Sequence, residues 1–220
     1  MINFIDTNVV VGYCFQADTW HDHCQILDRL NNIWSSSKVL DEWQDIEDYI
    51  LDNHISLINK HIDQIKRTFP DMIEMTLRDR LLRSVPHKVQ SFLGKIYLEQ
   101  IDYPLTKDEL CDHVERKMLD MQHDKTMRFL KLDSTCKKHI RTKDYGFEND
   151  KLKPCVHNGN RDRGILLDAH DLILNMPSQK IRFLTLDNAI SGECKDKIIT
   201  YLKIDEVKDL KYCPPSMYSR

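Results

Sequence analysis

Near its amino terminus the chain carries the segment Ile2-Asn3-Phe4-Ile5-Asp6-Thr7-Asn8-Val9-Val10-Val11. A short run of strand-forming residues ends at one carboxylate, Asp6, and a segment that is compatible with a helix follows it. Open α/β sheets bind their ligands just beyond the carboxyl ends of the strands. The stretch therefore predicts a strand that delivers Asp6 to a functional edge of a sheet. The alternative is a surface aspartate that starts a turn.

Three other acids share this placement. Glu42 and Asp187 follow apolar runs, and Asp162 opens a helix-like pattern. Carboxylates that lie close together raise one another's pKa values unless a cation compensates their charge. Because Mg²⁺ and Mn²⁺ prefer oxygen ligands, a site for a divalent cation is the leading hypothesis for these acids.

The composition is that of an ordinary globular protein. The chain has 220 residues, of which 30% are charged and 41% are hydrophobic, and its formal net charge is −3. This length suffices for one sizeable core, or for a compact domain with an inserted lobe. The net charge excludes a protein that binds polyelectrolytes over its whole surface, so a nucleic-acid surface would need a local basic cluster.

Three features concern the cellular compartment. No run of about 18 uncharged apolar residues occurs, which argues against a transmembrane helix, and no basic leader precedes the first strand. The seven cysteines are scattered and include no Cys-x-x-Cys pair, which argues against a disulfide framework. We expect a cytoplasmic protein with reduced thiols and no membrane partner.

Strand and helix patterns alternate at both ends of the chain. After the first strand, further strands are predicted at residues 34–40, 181–186 and 198–204, and this alternation indicates an α/β fold with a parallel sheet. The middle is helical and includes a capping-box pattern, Thr106-Lys107-Asp108-Glu109. We predict a catalytic domain formed by residues 1–50 and 151–220, with a helical insertion at 51–150 packed on it.

The most basic stretch runs from Lys125 to Lys143 and contains a single acid, Asp133. One interpretation is a solvated helix face. Beside a carboxylate–metal site, a surface that contacts phosphates is the better explanation. The residues predicted to bind nucleic acid are Lys131, Lys137, Lys138, Arg141 and Lys143.

Four segments, taken in order, resemble the motifs of PIN-domain nucleases. They are Phe4-Ile5-Asp6-Thr7-Asn8, Leu40-Asp41-Glu42, Asp162-Arg163-Gly164-Ile165-Leu166-Leu167-Asp168-Ala169 and Phe183-Leu184-Thr185-Leu186-Asp187-Asn188. The resemblance covers about residues 1–50 and 155–210. It implies a PIN-like, Rossmannoid three-layer fold and a metal-dependent phosphodiesterase that usually acts on RNA, with Mg²⁺ or Mn²⁺ as cofactor.

Position by position, the resemblance implies a catalytic and metal-binding set of Asp6, Glu42, Asp162 and Asp187. It also implies that Asn8 and Thr185 support these acids by hydrogen bonds. Asp168 is the alternative third acid. It follows Asp162 by about 600° of helical turn, so the two cannot share a face. Asp162 is favoured because a position at the start of the helix points it towards the strand ends.

The leading functional prediction is an endonuclease that cleaves single-stranded or structured RNA by attack of a metal-activated water. DNA is the alternative substrate. One alternative role is a catalytically idle PIN-like scaffold that binds RNA or protein, and another is a toxin-type ribonuclease silenced by an antitoxin-like protein. The insertion at 51–150 and its basic end favour a stand-alone processing enzyme over a toxin. The sequence does not determine the oligomeric state, so the protein could be a monomer or a homodimer.

Overall fold

A five-stranded parallel sheet forms the centre of the molecule. The computed structural model describes residues 1–73, 77–100, 105–156 and 160–212. In chain order the strands of this sheet are β1 (Ile2–Ile5), β2 (Ile33–Ser36), β5 (Lys137–His139), β6 (Ile181–Thr185) and β7 (Glu206–Asp209). A separate antiparallel pair joins β3 (Met72–Ile73) to β4 (Leu105–Thr106). The predicted α/β class and parallel sheet are confirmed.

The helices flank the sheet and fill the middle of the chain. They are α1 (Thr7–Cys14), α2 (His21–Cys24), α3 (Ser37–Thr68), α4 (Arg78–Ser84), α5 (Gln90–Gln100), α6 (Lys107–Thr135), α7 (Gly146–Leu152), α8 (Asn160–Asn175) and α9 (Lys195–Leu202). In the described residues, no helix combines the length and the apolar content needed to cross a membrane.

The strand order β5-β2-β1-β6-β7 reverses direction beside β1. The chain moves outwards from β1 to β2 and β5, then returns to the other side of β1 as β6 and β7. Right-handed crossovers therefore put the helices before β5 on one face and those after it on the other. Accordingly α1 packs against α3 and α6, whereas α7 packs against α8 and α9. This arrangement is compatible with a three-layer fold, and its switch point lies between β1 and β6.

The two central strands are buried on both faces, as parallel strands usually are. All four residues of β1 are buried, and Phe4 stacks on Phe183 of β6 with ring centroids 6.0 Å apart. Because both strands run in the same direction, the residues that follow them, Asp6 and Leu186, emerge at the same edge of the sheet.

The predicted second strand at residues 34–40 is too long. Strand β2 ends at Ser36, whose side chain accepts a hydrogen bond from the backbone N–H of Lys38 (3.1 Å) and caps α3. Serine at a helix N-cap satisfies a backbone donor that has no partner within the helix. Glu42 therefore lies in the second turn of α3 and not at the end of a strand.

The predicted last strand at residues 198–204 is wrong. Residues Lys195–Leu202 form α9, and the last strand is Glu206–Asp209. Ile198 and Leu202, four residues apart, are both buried on one face of the helix, which is the spacing of an amphipathic helix. Lys203 ends the helix in the left-handed region, with a φ of 55°.

The hydrophobic residues form two clusters. One surrounds the sheet. The other consists of buried side chains of the helical middle, the first of them Ile58 and the last Met121, together with Ala17.

Helix α6 begins with the predicted capping box, which is confirmed: Thr106 Oγ1 accepts from the Glu109 N–H, and Glu109 accepts from the Thr106 N–H. The same helix reaches the first cluster through Leu132.

The predicted boundaries of the insertion do not coincide with the observed elements. Helix α3 runs through the boundary at residue 50 without interruption. At the other end, Lys137–His139 lies inside the predicted insertion but pairs with β2 as the outer strand of the sheet.

The six cysteines in the described residues are free and buried, and the seventh, Cys213, lies outside those residues.

A buried carboxylate anchors the loop that follows β5. Asp171 of α8 is within hydrogen-bond distance of His139 Nε2 (2.9 Å), and it accepts from the Thr142 N–H (3.0 Å) and the Tyr145 hydroxyl (2.5 Å). Burial raises the pKa of Asp171, but the hydrogen bonds from Tyr145, Thr142 and His139 outweigh it and lower the pKa to about 2.

Replacement of this anchor, Asp171→Asn, is expected to lower the free energy of unfolding by about 2–4 kcal/mol at pH 7, because buried donors lose a charged acceptor. The folded-state pKa lies below the ordinary value of 3.8. The contribution is therefore present above about pH 4 and is lost as the pH falls through about 2. Urea titrations at pH 7 and pH 3 would measure it. Asp150→Asn, an exposed change beside Lys153, is the control and should shift stability by less than about 0.5 kcal/mol.

Candidate active site

Asp6 lies at the carboxyl end of β1 and caps α1. Its Oδ1 accepts from the Thr7 N–H (2.8 Å), and its Oδ2 accepts from Asn8 Nδ2 (2.9 Å) and from the Thr185 hydroxyl (2.9 Å). Its side chain is almost completely buried, with 4% exposed. Three donors on two neighbouring strand ends thus hold one carboxylate in a single orientation.

Asp187 lies two residues beyond β6. Its Oδ1 accepts from the Ala189 N–H (2.7 Å), which starts the helical turn that follows. The hydroxyl of Thr185 accepts from the Asp187 N–H (2.9 Å) while it donates to Asp6. Thr185 therefore links the two acids directly, and it is the residue that the sequence predicted as support.

Asn8 forms the second link between the strand ends. Its amide donates to Asp6 Oδ2, and its carbonyl oxygen accepts from the Leu186 N–H (3.0 Å). The predicted supporting residues Asn8 and Thr185 thus both hydrogen-bond to Asp6.

Glu42 reaches the same place from α3. Its Oε2 accepts from the Thr7 hydroxyl (2.6 Å), and its Oε1 lies 3.7 Å from Arg161 Nη1. Thr7 is not among the predicted site residues, although its hydroxyl directly follows Asp6 in the sequence. Because Thr7 starts α1 and Glu42 lies on α3, this hydrogen bond fixes the two helices relative to each other at the site.

Three of the four predicted acids border a cleft of about 400 Å³, and Asp187 is not part of its lining. Its lining includes Asp6, Glu42 and Asp162, together with Asp18 and Trp20 from the segment after α1. Asp162 belongs to the first turn of α8, as predicted. Asp18 is a further acid that the sequence analysis missed, and its Oδ1 accepts from the Trp20 N–H (2.8 Å).

The acids lie close enough to perturb one another. Burial raises the pKa of Asp6 to about 7; hydrogen bonds from Thr185 and Thr7 oppose this shift, while the charges of Asp162 and Asp187 add to it. Burial likewise raises the pKa of Asp162, and the charges of Asp187 and Glu42 raise it further. All four predicted acids therefore share one electrostatic environment.

The donor set suits a hard divalent cation in charge and in chemistry. It consists of carboxylate oxygens, which Mg²⁺ and Mn²⁺ prefer, and their mutual repulsion is the kind that a cation relieves. Within the described residues, however, no three His, Cys, Asp or Glu side chains converge closely enough to hold a metal ion. Binding would thus require the side chains around Asp6 to move towards the ion.

Asp168, the alternative third acid, lies elsewhere. It is buried, accepts a hydrogen bond from the Ser36 hydroxyl and lies 3.4 Å from Arg141 Nε. Since Ser36 caps α3, Asp168 helps to fix the start of the helix that carries Glu42. Of the two candidates on α8, Asp162 lines the cleft.

The predicted basic surface is divided between the two edges of the sheet. Lys131 pairs with Asp28 (2.6 Å), and Lys137 contacts Asn32, which precedes β2 at the edge away from Asp6. The remaining three differ in their surroundings: Lys138 pairs with Asp133, Arg141 lies beside Asp168, and Lys143 is exposed after β5. Four of the five residues thus contact partners at separate places, and their contact with nucleic acid stays a prediction.

No protein-family model, curated protein or solved structure matches the chain. The resemblance of its motifs to PIN-domain nucleases stays a prediction.

Asp6→Asn is expected to change the pH dependence of stability. The pKa of Asp6 is about 7 in the folded protein against an ordinary value of 3.8, so unfolding releases a proton between these values and stability falls as the pH rises from about 4 to 7. Because asparagine does not ionise, the variant does not lose this stability as the pH rises. Its free energy of unfolding relative to wild type should therefore improve by about 2–4 kcal/mol between pH 4 and pH 8 in EDTA.

Thermal unfolding followed by circular dichroism would measure this difference. Asp150→Asn, whose side chain is exposed, is the control and should differ from wild type by the same amount at each pH. An equally constant difference for Asp6→Asn would contradict the raised pKa.

Proposed function

We propose that the chain is a metal-dependent endonuclease that hydrolyses phosphodiester bonds in single-stranded or structured RNA. The observation that carries this proposal is that Asp6 and Asp187 lie together at the switch point of a parallel sheet. Asp162 and Glu42 are close enough for their charges to interact with this pair. Ligands of open α/β sheets bind at this position. Clustered carboxylates there suit a phosphodiesterase because they suit the cation that such chemistry uses.

The cofactor in this proposal is Mg²⁺ or Mn²⁺, and the residues that would hold it are Asp6, Glu42, Asp162 and Asp187. When bound, the ion supplies charge neutralisation at the phosphate and a more acidic water. The chain supplies orientation. Asn8 and Thr185 hold Asp6 Oδ2, and Thr7 holds Glu42 Oε2, so the movement of the acids towards an ion starts from positions that these hydrogen bonds restrict.

Two cations beside Glu42 are suited to hold the phosphate. Arg161 Nη1 lies 3.7 Å from Glu42, and the Arg161 side chain is 66% exposed. Lys38 lines a small cleft together with Glu42 and Arg161, and a Cβ atom added at Gly164 of α8 would lie 3.2 Å from its Nζ. Arginine and lysine are the usual phosphate ligands in proteins. In the proposed complex the Arg161 side chain turns from Glu42 to the substrate, and Lys38 contacts the substrate from the same cleft.

The family proposed for the chain is that of the PIN-domain nucleases. It is supported by the positions of the motif acids: Asp6 and Asp187 follow central strands, Asp162 starts a helix and Glu42 lies early in one. The proposed partner is RNA, with DNA as the alternative substrate. The helical middle supports a stand-alone processing enzyme over a toxin held by an antitoxin-like protein, and the free buried cysteines support a cytoplasmic location.

A second candidate function is a scaffold that binds RNA without cutting it. It is favoured by one observation, that no three potential ligands in the described part of the chain converge as a metal site. The two candidates differ in one measurable respect, which is whether cleavage occurs and depends on Asp6.

The first test compares wild type with Asp6→Asn on a labelled single-stranded RNA in Mg²⁺ and in Mn²⁺. The variant should lose more than about a hundredfold in kcat/KM, because loss of a ligand exceeds the 10–100-fold effect of groups that only orient ligands. Asp150→Asn should keep the wild-type rate. If wild type leaves the RNA as intact as Asp6→Asn does in both metals, the enzyme proposal fails and the scaffold stands.

A second test addresses Asn8. Asn8→Ala removes one donor to Asp6 and the acceptor for the Leu186 N–H, and it should lower kcat/KM by about 10–100-fold while RNA cleavage remains metal-dependent. Asn188→Ala is the matched control, since Asn188 lies on the same edge but contacts Lys211. Equal rates for both variants would show that Asn8 does not orient the site.

A further inference from the structure

A second cleft lies where the helical middle meets the segment after α1. It has a volume of about 250 Å³. Its polar lining comes from three parts of the chain: Gln16, His21 and Gln25, Lys95 and Glu99 on α5, and Lys117 and Arg128 on α6. Neither the acids of the candidate active site nor the predicted basic residues line it. Its composition therefore requires a separate explanation.

The charges of this cleft are unbalanced. Three cations, Lys95, Lys117 and Arg128, face one acid, Glu99. Lys95 also pairs with Asp22 (2.6 Å). Neither Lys117 nor Arg128 forms an ion pair within the described residues, although Arg128 lies over the Tyr13 ring at 5.6 Å. Cations of one sign gathered in a cleft concentrate positive potential there and attract an anion.

The donors and the size of the cleft select the kind of anion. Guanidinium and ammonium N–H groups are donors that bind phosphate oxygens, and Arg128 and Lys117 supply them here. The Gln16 amide donates instead to the Asp124 carboxylate. His21 Nδ1 lies 2.9 Å from the Gly12 carbonyl oxygen, which fixes the ring at the wall of the cleft. Pockets for drug-sized ligands measure about 300–1,000 Å³. A volume of about 250 Å³ thus suits a phosphate group better than a whole nucleotide.

The position of the cleft connects it to the acids. Asp18 and Trp20 line the acidic cleft, whereas Gln16 and His21, on the same short segment, line the basic one. The His21 N–H donates to the Asp18 carbonyl oxygen (3.1 Å). Because three virtual bonds of about 3.8 Å separate these residues, their Cα atoms lie within about 11 Å of each other. The segment from Gln16 to His21 thus contributes to the walls of both clefts.

We infer that the cleft formed by Gln16, His21, Lys95, Lys117 and Arg128 is a phosphate-binding site that holds a backbone phosphate of the nucleic acid away from the bond that is cut. The identity of that nucleic acid rests on the proposed function, whereas the phosphate site itself does not. A free phosphate monoester has the same chemistry and is the other source of the ligand.

The first experiment measures binding of inorganic phosphate to the full chain by isothermal titration calorimetry in EDTA, at constant ionic strength. Lys117→Gln and Arg128→Gln should each weaken binding at least tenfold, and Arg116→Gln should not. Arg116 is the matched control because it lies on the same helix, is exposed and does not line the cleft. Equal affinities for wild type, Lys117→Gln and Arg128→Gln, or no binding to wild type, would overturn the site.

The second experiment separates the two sources of phosphate. Binding of a single-stranded RNA is measured against salt in the Asp6→Asn background, so that the result does not depend on cleavage. If the cleft holds a backbone phosphate, Lys117→Gln should reduce the slope of log K against log salt by about 0.7, the value for one phosphate contact on a single strand. The Arg116→Gln slope should equal that of the background.

The outcomes are distinct. Loss of phosphate binding with an unchanged RNA slope would assign the cleft to a free monoester and overturn its role in nucleic-acid binding. Loss of both would support the whole inference, even if the chain cuts no RNA. Circular dichroism of each variant checks folding, and Lys117→Gln remains informative if Arg128→Gln disturbs the contact with Tyr13.

Discussion

Thr185 joins the ends of the two central strands, because its hydroxyl donates to Asp6 and accepts from the Asp187 N–H. The constraint behind this contact is the burial of a carboxylate beside other carboxylates. Such a group is stable only with donors aimed at it or with a cation beside it. The donors are present in Asn8, Thr7 and Thr185, yet the pKa of Asp6 still rises to about 7. The hydrogen bonds alone do not offset the burial and the neighbouring charges.

Much of the surrounding structure serves to hold these acids in place. Asp168 binds the Ser36 hydroxyl that caps α3, and α3 carries Glu42. Asp171 secures the loop after β5 on the same helix that presents Asp162. A protein gains nothing in stability from gathering negative charge at one edge of its sheet. This electrostatic cost is consistent with a site that a bound cation completes, as the proposed function requires.

The fold and the acids could be predicted from the sequence where local pattern and topology agree. The apolar runs before Asp6 and Asp187 specify buried parallel strands, and parallel strands bring their ends to one edge. The extent of β2 and the type of the segment at residues 198–204 could not be predicted in the same way. Ser36 acts as a cap rather than a strand residue, and the apolar residues of α9 fit a strand as readily as a helix until their packing is known.

Contacts between distant parts of the chain could not be predicted from the sequence. The basic residues from Lys131 to Lys143 form a dense cluster in sequence, but Asp28 and Asp168, which partner two of them, lie far away along the chain. Thr7 binds Glu42 only because α1 and α3 pack together. The second cleft likewise draws its cations from two helices, α5 and α6, that no local pattern relates.

Whether the acids around Asp6 form a cation site can be tested by anomalous diffraction from crystals soaked in MnCl₂. One or two manganese peaks are expected within coordination distance of Asp6 and Asp187, and no such peak is expected in Asp6→Asn crystals. Soaked wild-type crystals that show no manganese between these residues, with their side chains unmoved, would contradict a cation site there.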